Sequence, residues 1–214
     1  MEHVQGADSG APRSGLTRRQ LAIGAAGVVA LAAVGGVGTA FAGEESLLRP
    51  PGGQDEDRLL GACIRCDRCR SVCPTNAIDV ATVEDGLVNV RTPKMNFHLG
   101  SCTTCDGAYL CARVCPTGAL GAFNTETDKI GMAVIDFDLC EAYGISAQCK
   151  YECVELCPAG ALSRTEDNRL VLDEEACWGC GVCEEVCPTN SYRAYTGSKR
   201  RGINVEPWEG ERRG

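Results

Sequence analysis

Residues 63–74 read CIRCDRCRSVCP, and this stretch decides the fold. Its cysteines have the spacing C-x2-C-x2-C-x3-C-P, and residues 177–188, CWGCGVCEEVCP, repeat it. Bacterial iron–sulfur proteins use this spacing: a tight loop supplies three thiolates, and the cysteine before proline ligates the partner cluster. The pattern therefore predicts clusters held by groups of cysteines that work in pairs.

All sixteen cysteines fall into four quartets, each ending in Cys-Pro. The two inner quartets read C-x2-C-x5-C-x3-C-P and C-x8-C-x3-C-x3-C-P, so inserted loops separate their ligands without changing the ligand number. We therefore predict four [4Fe-4S] clusters, with these cysteines as cofactor-binding and metal ligands: Cys63, Cys66, Cys69, Cys73, Cys102, Cys105, Cys111, Cys115, Cys140, Cys149, Cys153, Cys157, Cys177, Cys180, Cys183 and Cys187.

Disulfides and zinc are the alternatives for so many cysteines. Thiols two or three residues apart are badly placed to bridge each other, which disfavours a disulfide framework. Paired C-x2-C motifs also build zinc sites, but a third cysteine and a terminal Cys-Pro fit zinc poorly. The chain has only two histidines, so Rieske-type ligation is excluded. No catalytic motif is found, and we predict an electron carrier with no catalytic residues of its own.

The amino terminus resembles a twin-arginine export signal. Arg18-Arg19 precedes an uncharged stretch rich in Ala, Gly and Val, and Ala40-Phe41-Ala42 offers small residues for cleavage. The stretch is long enough to span a bilayer, so an uncleaved membrane anchor is the alternative. Because clusters must be assembled in a reducing compartment, we expect the chain to be exported already folded, to the periplasm or the outer face of the cytoplasmic membrane.

The chain divides into four regions. We predict a signal peptide at 1–42, a linker or ordered arm at 43–62, a four-cluster ferredoxin-type region at 63–188 and a peripheral carboxy-terminal arm at 189–214. The expected fold class is α+β, made of tandem or nested ferredoxin-like modules with short β-hairpins and short helices. With 5% aromatic residues the apolar core is small, so we expect the clusters to stabilise the fold and the apo form to be largely disordered.

Short apolar alternations predict strands at 78–80, 87–90, 133–135 and 170–172. Helices are expected after the Cys-Pro steps and around 179–186. The formal net charge of −8 disfavours nucleic acid as a partner. Three arginines, Arg65, Arg68 and Arg70, reverse the sign near the first quartet, where positive charge would raise a cluster's potential. Trp178 either packs ordinarily or covers a cluster.

These features resemble the NapG/MauM family of ferredoxin-type proteins, in which a twin-arginine signal precedes four cysteine quartets. The resemblance implies a carrier that takes electrons from a membrane-embedded quinol-oxidising partner and passes them to a periplasmic oxidoreductase, either nitrate reductase-like or related to methylamine dehydrogenase. The same architecture occurs in the electron-transfer β subunits of molybdopterin oxidoreductases and hydrogenases. A β subunit is therefore one alternative function, and a maturation factor for a periplasmic redox enzyme is another.

The spacing also suggests how the quartets pair. The outer quartets are regular and the inner ones carry insertions, as in the β-subunit architecture, and this symmetry favours nesting of the first quartet with the fourth and of the second with the third. Cys187 and Cys73 would then be exchanged between the outer clusters, and Cys157 and Cys115 between the inner ones. Sequential pairing is the alternative, and a Cys73 lying close to Cys102 would establish it.

Overall fold

The computed structural model describes residues 46–143, 149–189 and 200–208. All of them lie in one compact unit, residues 43–214. The predicted signal peptide lies outside the described residues. In the part of the chain that the structure describes, no helix is long and apolar enough to cross a membrane.

The described elements are short helices and two-stranded antiparallel sheets. The helices are α1 (Glu56–Ala62), α2 (Arg68–Val72), α3 (Leu110–Arg113), α4 (Glu152–Glu155) and α5 (Val182–Glu185), with a 3-10 turn at Val83–Asp85. The strands are β1 (Ile78–Val80), β2 (Pro93–Met95), β3 (Met132–Ile135), β4 (Leu162–Arg164), β5 (Leu170–Leu172) and β6 (Ile203–Glu206). The predicted mixture of helix and strand is confirmed.

The elements form two modules with the same order of helix, hairpin and helix. In the N-terminal module, residues 46–121, α2 contacts α3 and the β1–β2 hairpin lies between them in sequence. In the C-terminal module, residues 130–189 and 200–206, α4 contacts α5 and the β4–β5 hairpin lies between them. The ends of the C-terminal module pair as β3 with β6. The ends of the N-terminal module meet where the Gly121 amide donates to the Gly52 carbonyl at 2.8 Å.

Each quartet uses one helical turn in the same way. Its third cysteine lies inside α2, α3, α4 or α5, and its fourth lies one or two residues beyond the end of that helix. The residue before each helix is left-handed: Asp67, Tyr109, Tyr151 and Gly181 have φ of 60°, 41°, 60° and 83°. Proline disfavours helical backbone in the residue before it. The helices therefore precede the Cys-Pro steps, and our prediction that they follow those steps was wrong.

Two other predictions need correction. Residues 87–90 form a turn, because Gly86 and Arg91 at its two ends have positive φ, and the strand comes later at β2. The carboxy-terminal arm is not peripheral at 201–205, which is buried and includes most of β6. Of the two alternatives for 43–62, the described part agrees with an ordered arm: residues 49–53 are buried, and α1 follows.

One arginine explains why residues 46–54 are fixed. The Arg49 side chain is 2% exposed, and its guanidinium donates to Glu56, Thr92 and Asn89 and to the Pro93 carbonyl. A buried guanidinium is stable only when its donors are satisfied in this way. Arg49 thus attaches the segment before the first quartet to the β1–β2 hairpin.

Candidate iron–sulfur sites

Three cavities are each lined by four cysteines. We name them by the quartet that supplies three of the four. Site 2 is lined by Cys102, Cys105, Cys111 and Cys73. Site 3 is lined by Cys140, Cys149, Cys153 and Cys187, and site 4 by Cys177, Cys180, Cys183 and Cys157. In every case the fourth cysteine comes from the other quartet of the same module.

This geometry establishes sequential pairing and overturns the nested pairing that we expected. Cys73 lies with Cys102, the contact that distinguishes the two schemes, and the charge of Cys73 acts to raise the pKa of Cys102. The inner quartets differ from the outer ones because loops are inserted between their first three ligands, as at residues 106–110. An insertion between ligands of one quartet has no bearing on which quartets share a module, so the symmetry of spacing was misleading.

The other four cysteines, Cys63, Cys66, Cys69 and Cys115, line none of these three cavities, and we call them site 1. The charge of Cys63 raises the pKa of Cys69, so these two thiols lie close together. Cys115 is assigned to the same site because the exchange that gives Cys73 to site 2 implies the reverse exchange.

The thiols fit a metal cluster and fit a single ion poorly. Tetrahedral zinc at about 2.3 Å from each sulfur would draw the sulfurs to within about 4 Å of one another. Among the described residues, no group of three or more Cys, His, Asp or Glu side chains gathers in a way that could hold one metal ion. The cysteines instead line cavities, at sites 2, 3 and 4.

Burial dominates the electrostatics of these thiols. It raises the pKa of Cys69, Cys102, Cys111 and Cys153 to about 12 and that of Cys180 to about 11, and neighbouring cysteines act in the same direction. Such thiols become thiolates only when a cation shares their charge. The iron of a cluster would supply that charge, so the donor set and its surroundings fit [4Fe-4S] ligation.

Cys115 differs from the other thiols. Burial acts to raise its pKa, but the backbone amides of Leu120, Thr117 and Ala119 and the Thr117 hydroxyl more than offset burial and lower it. The Thr117 oxygen lies 3.7 Å from the Cys115 sulfur. The surroundings of Cys115 thus favour its thiolate form more than those of an ordinary thiol do.

The walls of sites 2 and 4 are mainly apolar. Trp178 lines site 4 together with Leu162, Leu172 and Val205, so it packs and covers the cavity at once. Gly181, between two ligands of site 4, faces the buried Phe97 ring of the N-terminal module so closely that any Cβ would overlap the ring. Sequence reasoning did not find this contact, because nothing in the spacing marks Phe97 as a neighbour of the fourth quartet.

A backbone hydrogen bond joins ligands of the two modules. The Cys102 amide of site 2 donates to the Cys180 carbonyl of site 4 at 2.8 Å. Within the modules, the charge of Cys111 acts to raise the pKa of Cys69 of site 1, and the charge of Cys153 acts to raise the pKa of Cys183 of site 4. Successive neighbours are therefore site 1, site 2, site 4 and site 3.

Together these sites define an iron–sulfur protein of the ferredoxin type. Residues 62–119 match the family described as 4Fe-4S dicluster domain, and residues 146–197 match the LdpA Fe-S cluster-binding domain. The first match spans both quartets of the N-terminal module, which agrees with sequential pairing.

Curated relatives refine the class. The chain is 36% identical over 59 residues to ferredoxin-type protein NapG of Escherichia coli, covering 28% of this chain and 25% of the relative, and it matches the Shigella flexneri protein equally well. It is 40% identical over 75 residues to methylamine utilization ferredoxin-type protein MauM of Methylorubrum extorquens, covering 33% and 34%. The matches span a quarter to a third of the relatives' length. Over that part the chain is similar to ferredoxin-type proteins of the NapG and MauM kind, and with the 4Fe-4S matches this similarity supports a ferredoxin-type iron–sulfur electron-transfer protein.

Proposed function

We propose that the chain is a one-electron relay carrying four [4Fe-4S] clusters in the order site 1, site 2, site 4, site 3. The observation that carries this proposal is the Cys102–Cys180 hydrogen bond, because it places ligands of two modules in direct contact. The clusters supply reversible one-electron chemistry when bound. The protein's part is to hold them at fixed positions, shield the inner ones from water and leave the two ends of the series open to partners.

The setting is proposed from the relatives and from the amino terminus. A membrane-embedded quinol-oxidising protein gives electrons to this chain, and a periplasmic oxidoreductase, nitrate reductase-like or related to methylamine dehydrogenase, receives them. Arg18-Arg19 and the stretch that follows support export by the twin-arginine route to the periplasmic side. The β-subunit alternative loses support, since the nested pairing associated with that architecture is not the pairing found here.

Anaerobic purification of the full chain, followed by iron and sulfide analysis and an EPR-monitored redox titration, tests the relay. We expect about sixteen iron atoms per chain, as four cubane clusters require, and four one-electron transitions. About eight iron atoms, or stoichiometric zinc, would refute the four-cluster relay.

The partners require a separate experiment. We expect the tagged full chain to copurify with a small polytopic membrane protein and to be reduced by quinol in its presence. Ligand variants such as Cys180→Ser should then leave the terminal enzyme mature but without electrons. If the variants instead prevent the enzyme from maturing, the chain is a maturation factor.

A further inference from the structure

We propose that the surface around Cys66 is the docking site for an acidic redox protein that accepts electrons from site 1. The surface, which we call the Cys66 face, consists of residues 64–70 and 87–91. The inference rests on the proposed relay and goes beyond it, because it assigns the exit end of the series and the chemistry of the acceptor.

The first observation is exposure. All sixteen cysteines lie in the part of the chain that the structure describes, and Cys66 is the one among them that is exposed. In contrast, Cys177, Cys180 and Cys183 of site 4 are all buried. A partner bound at Cys66 would therefore touch a ligand of site 1. The first three ligands of site 4 are covered by protein, so a partner could not come as close to that site.

The second observation is an apolar centre. Ile64, Leu87 and Val88 are 63%, 62% and 53% exposed, although large apolar side chains are usually covered. The Arg65 guanidinium donates to the Val88 carbonyl at 3.0 Å and so joins the two loops into one surface. An apolar centre with a charged rim is the usual anatomy of a protein–protein interface.

The third observation is charge. The chain has a net charge of −8, yet Arg65, Arg68 and Arg70 are all exposed on this face. Asp67 pairs with Arg91 at 3.1 Å, and Arg70 interacts electrostatically with Asp79. Arg65 and Arg68 therefore give the face a positive charge on an acidic protein. Complementary charge steers association, so the partner that fits carries carboxylates around its cofactor.

The direction of transfer follows from the same charges. Positive residues and hydrogen bonds to ligand sulfur stabilise the reduced state and raise a cluster's potential. Site 1 has nearby arginines, and the Arg65 amide lies 3.4 Å from the Cys63 sulfur. The linings of sites 2 and 4 have no arginine or lysine, and that of site 3 has Lys150 beside two glutamates, so the arginines favour the electron at site 1. One electron leaves it for the oxidised cofactor of the partner, and no bond or proton is exchanged.

Voltammetry of the full-length holoprotein on a gold electrode tests the face without a known partner. A carboxylate-terminated monolayer is the probe, because it presents the charge that we assign to the acceptor. The double variant Arg65→Glu with Arg68→Glu is compared with Arg164→Glu with Arg169→Glu, which reverses the same number of exposed charges on the β4–β5 hairpin. We expect the first variant to exchange electrons about tenfold more slowly at low salt, and the control to match the wild type.

The remaining outcomes are also decisive. The difference should shrink as ionic strength rises, since the interaction is between exposed charges. Equal rates in the two variants, or faster exchange on an amine-terminated monolayer, would overturn the proposal. If the Arg65/Arg68 variant loses only its binding to phosphatidylglycerol vesicles, the face binds lipid and the proposal is wrong.

Folding and cluster content must be separated from docking. The single variant Arg68→Glu serves as a second test, because it leaves the Arg65–Val88 contact intact, and it should show the same effect in smaller degree. Each variant is checked for iron content and for the EPR signal of the highest-potential cluster. A wild-type iron content of about eight would refute the four-cluster relay, while the electrode comparison between variants of equal iron content would still decide the docking face.

Discussion

The two modules have the same order of elements but differ in how exposed their cysteines are. Site 1 of the N-terminal module has an exposed ligand in Cys66 and polar donors around Cys115, whereas site 4 of the C-terminal module has three buried ligands and an apolar wall. The same C-x2-C-x2-C-x3-C-P spacing thus serves at both an outer end and an inner position of the series. The spacing specifies ligation, and the residues between and around the cysteines specify exposure.

Removal of iron should produce the largest effect on amide protection, and the loss of protection should differ between the two modules. We expect chelation under reducing, anaerobic conditions to abolish amide protection at 162–187, because without its cluster site 4 is a cavity surrounded by buried thiols. The β1–β2 hairpin should keep more protection, since Arg49 attaches it to residues 46–54. Hydrogen exchange followed by mass spectrometry measures both regions in one sample. Full protection at 162–187 in the apo protein would contradict the prediction.

Substitution of single cysteine ligands should show the next largest difference between the two modules, in the amount of iron that each variant retains. Cys180→Ser places a hydroxyl in a buried site and removes a thiolate ligand of site 4, so we expect loss of about four iron atoms and of electron transfer between sites 1 and 3. Cys66→Ser affects an exposed position, where water can solvate the hydroxyl, and should retain most of its iron. Iron analysis and stopped-flow reduction distinguish the two variants. Equal iron loss would show that exposure does not govern cluster retention.

The cysteine spacing predicted which thiols of one quartet lie together and did not predict which quartets share a cavity. It groups the first three cysteines of sites 2, 3 and 4 as the cavities do, because they belong to one local stretch of backbone. It failed for the fourth ligand, since that choice depends on which quartets are folded into one module by the hairpin between them. In both modules the hairpin follows the first quartet of the pair, as β1–β2 follows Cys73.

Strand positions show the same limit. Residues 133–135 and 170–172 were predicted correctly from alternation, but β2 was missed because it begins with Pro93. Proline is tolerated there because it stands at the start of an edge strand, opposite Val80. The burial of Arg49 was also missed, since its partners Thr92 and Asn89 are far away in sequence.

Two buried arginines offer a matched test of how the terminal segments are held. Arg49 satisfies its donors with four partners in the N-terminal module, whereas Arg201 donates to the Glu184 and Glu185 carbonyls and leaves its buried Nε without a partner among the described residues. We expect Arg49→Met to lower the free energy of unfolding by about 3 kcal/mol and Arg201→Met by about half as much. Denaturant unfolding of the holoproteins measures both. A larger loss of unfolding free energy for Arg201→Met would contradict the prediction that Arg49 contributes more to stability than Arg201.

The smallest predicted effect concerns the potentials of sites 1 and 4. A threonine follows the Cys-Pro step at Thr75, Thr117 and Thr189, but the site 4 ligand Cys157 is followed by Pro158 and Ala159. Thr75 and Thr189 donate to the carbonyls of Ser101 and Leu139, which leaves Thr117 as the clearest donor to a ligand sulfur. A hydrogen bond worth about 1 kcal/mol corresponds to about 40 mV for one electron.

We therefore expect Thr117→Val to lower the potential of site 1 by about 40 mV and Ala159→Thr to raise that of site 4 by no more than this. Thr75→Val is the control: it removes a hydroxyl near Cys73 whose proton is already given to Ser101, so the potential of site 2 should change less. EPR-monitored titration of the three variants measures the shifts. Thr75→Val and Thr117→Val could instead shift the potentials of sites 2 and 1 equally. In that case the difference in potential between the sites comes from burial and arginine charge, and the hydroxyls do not tune it.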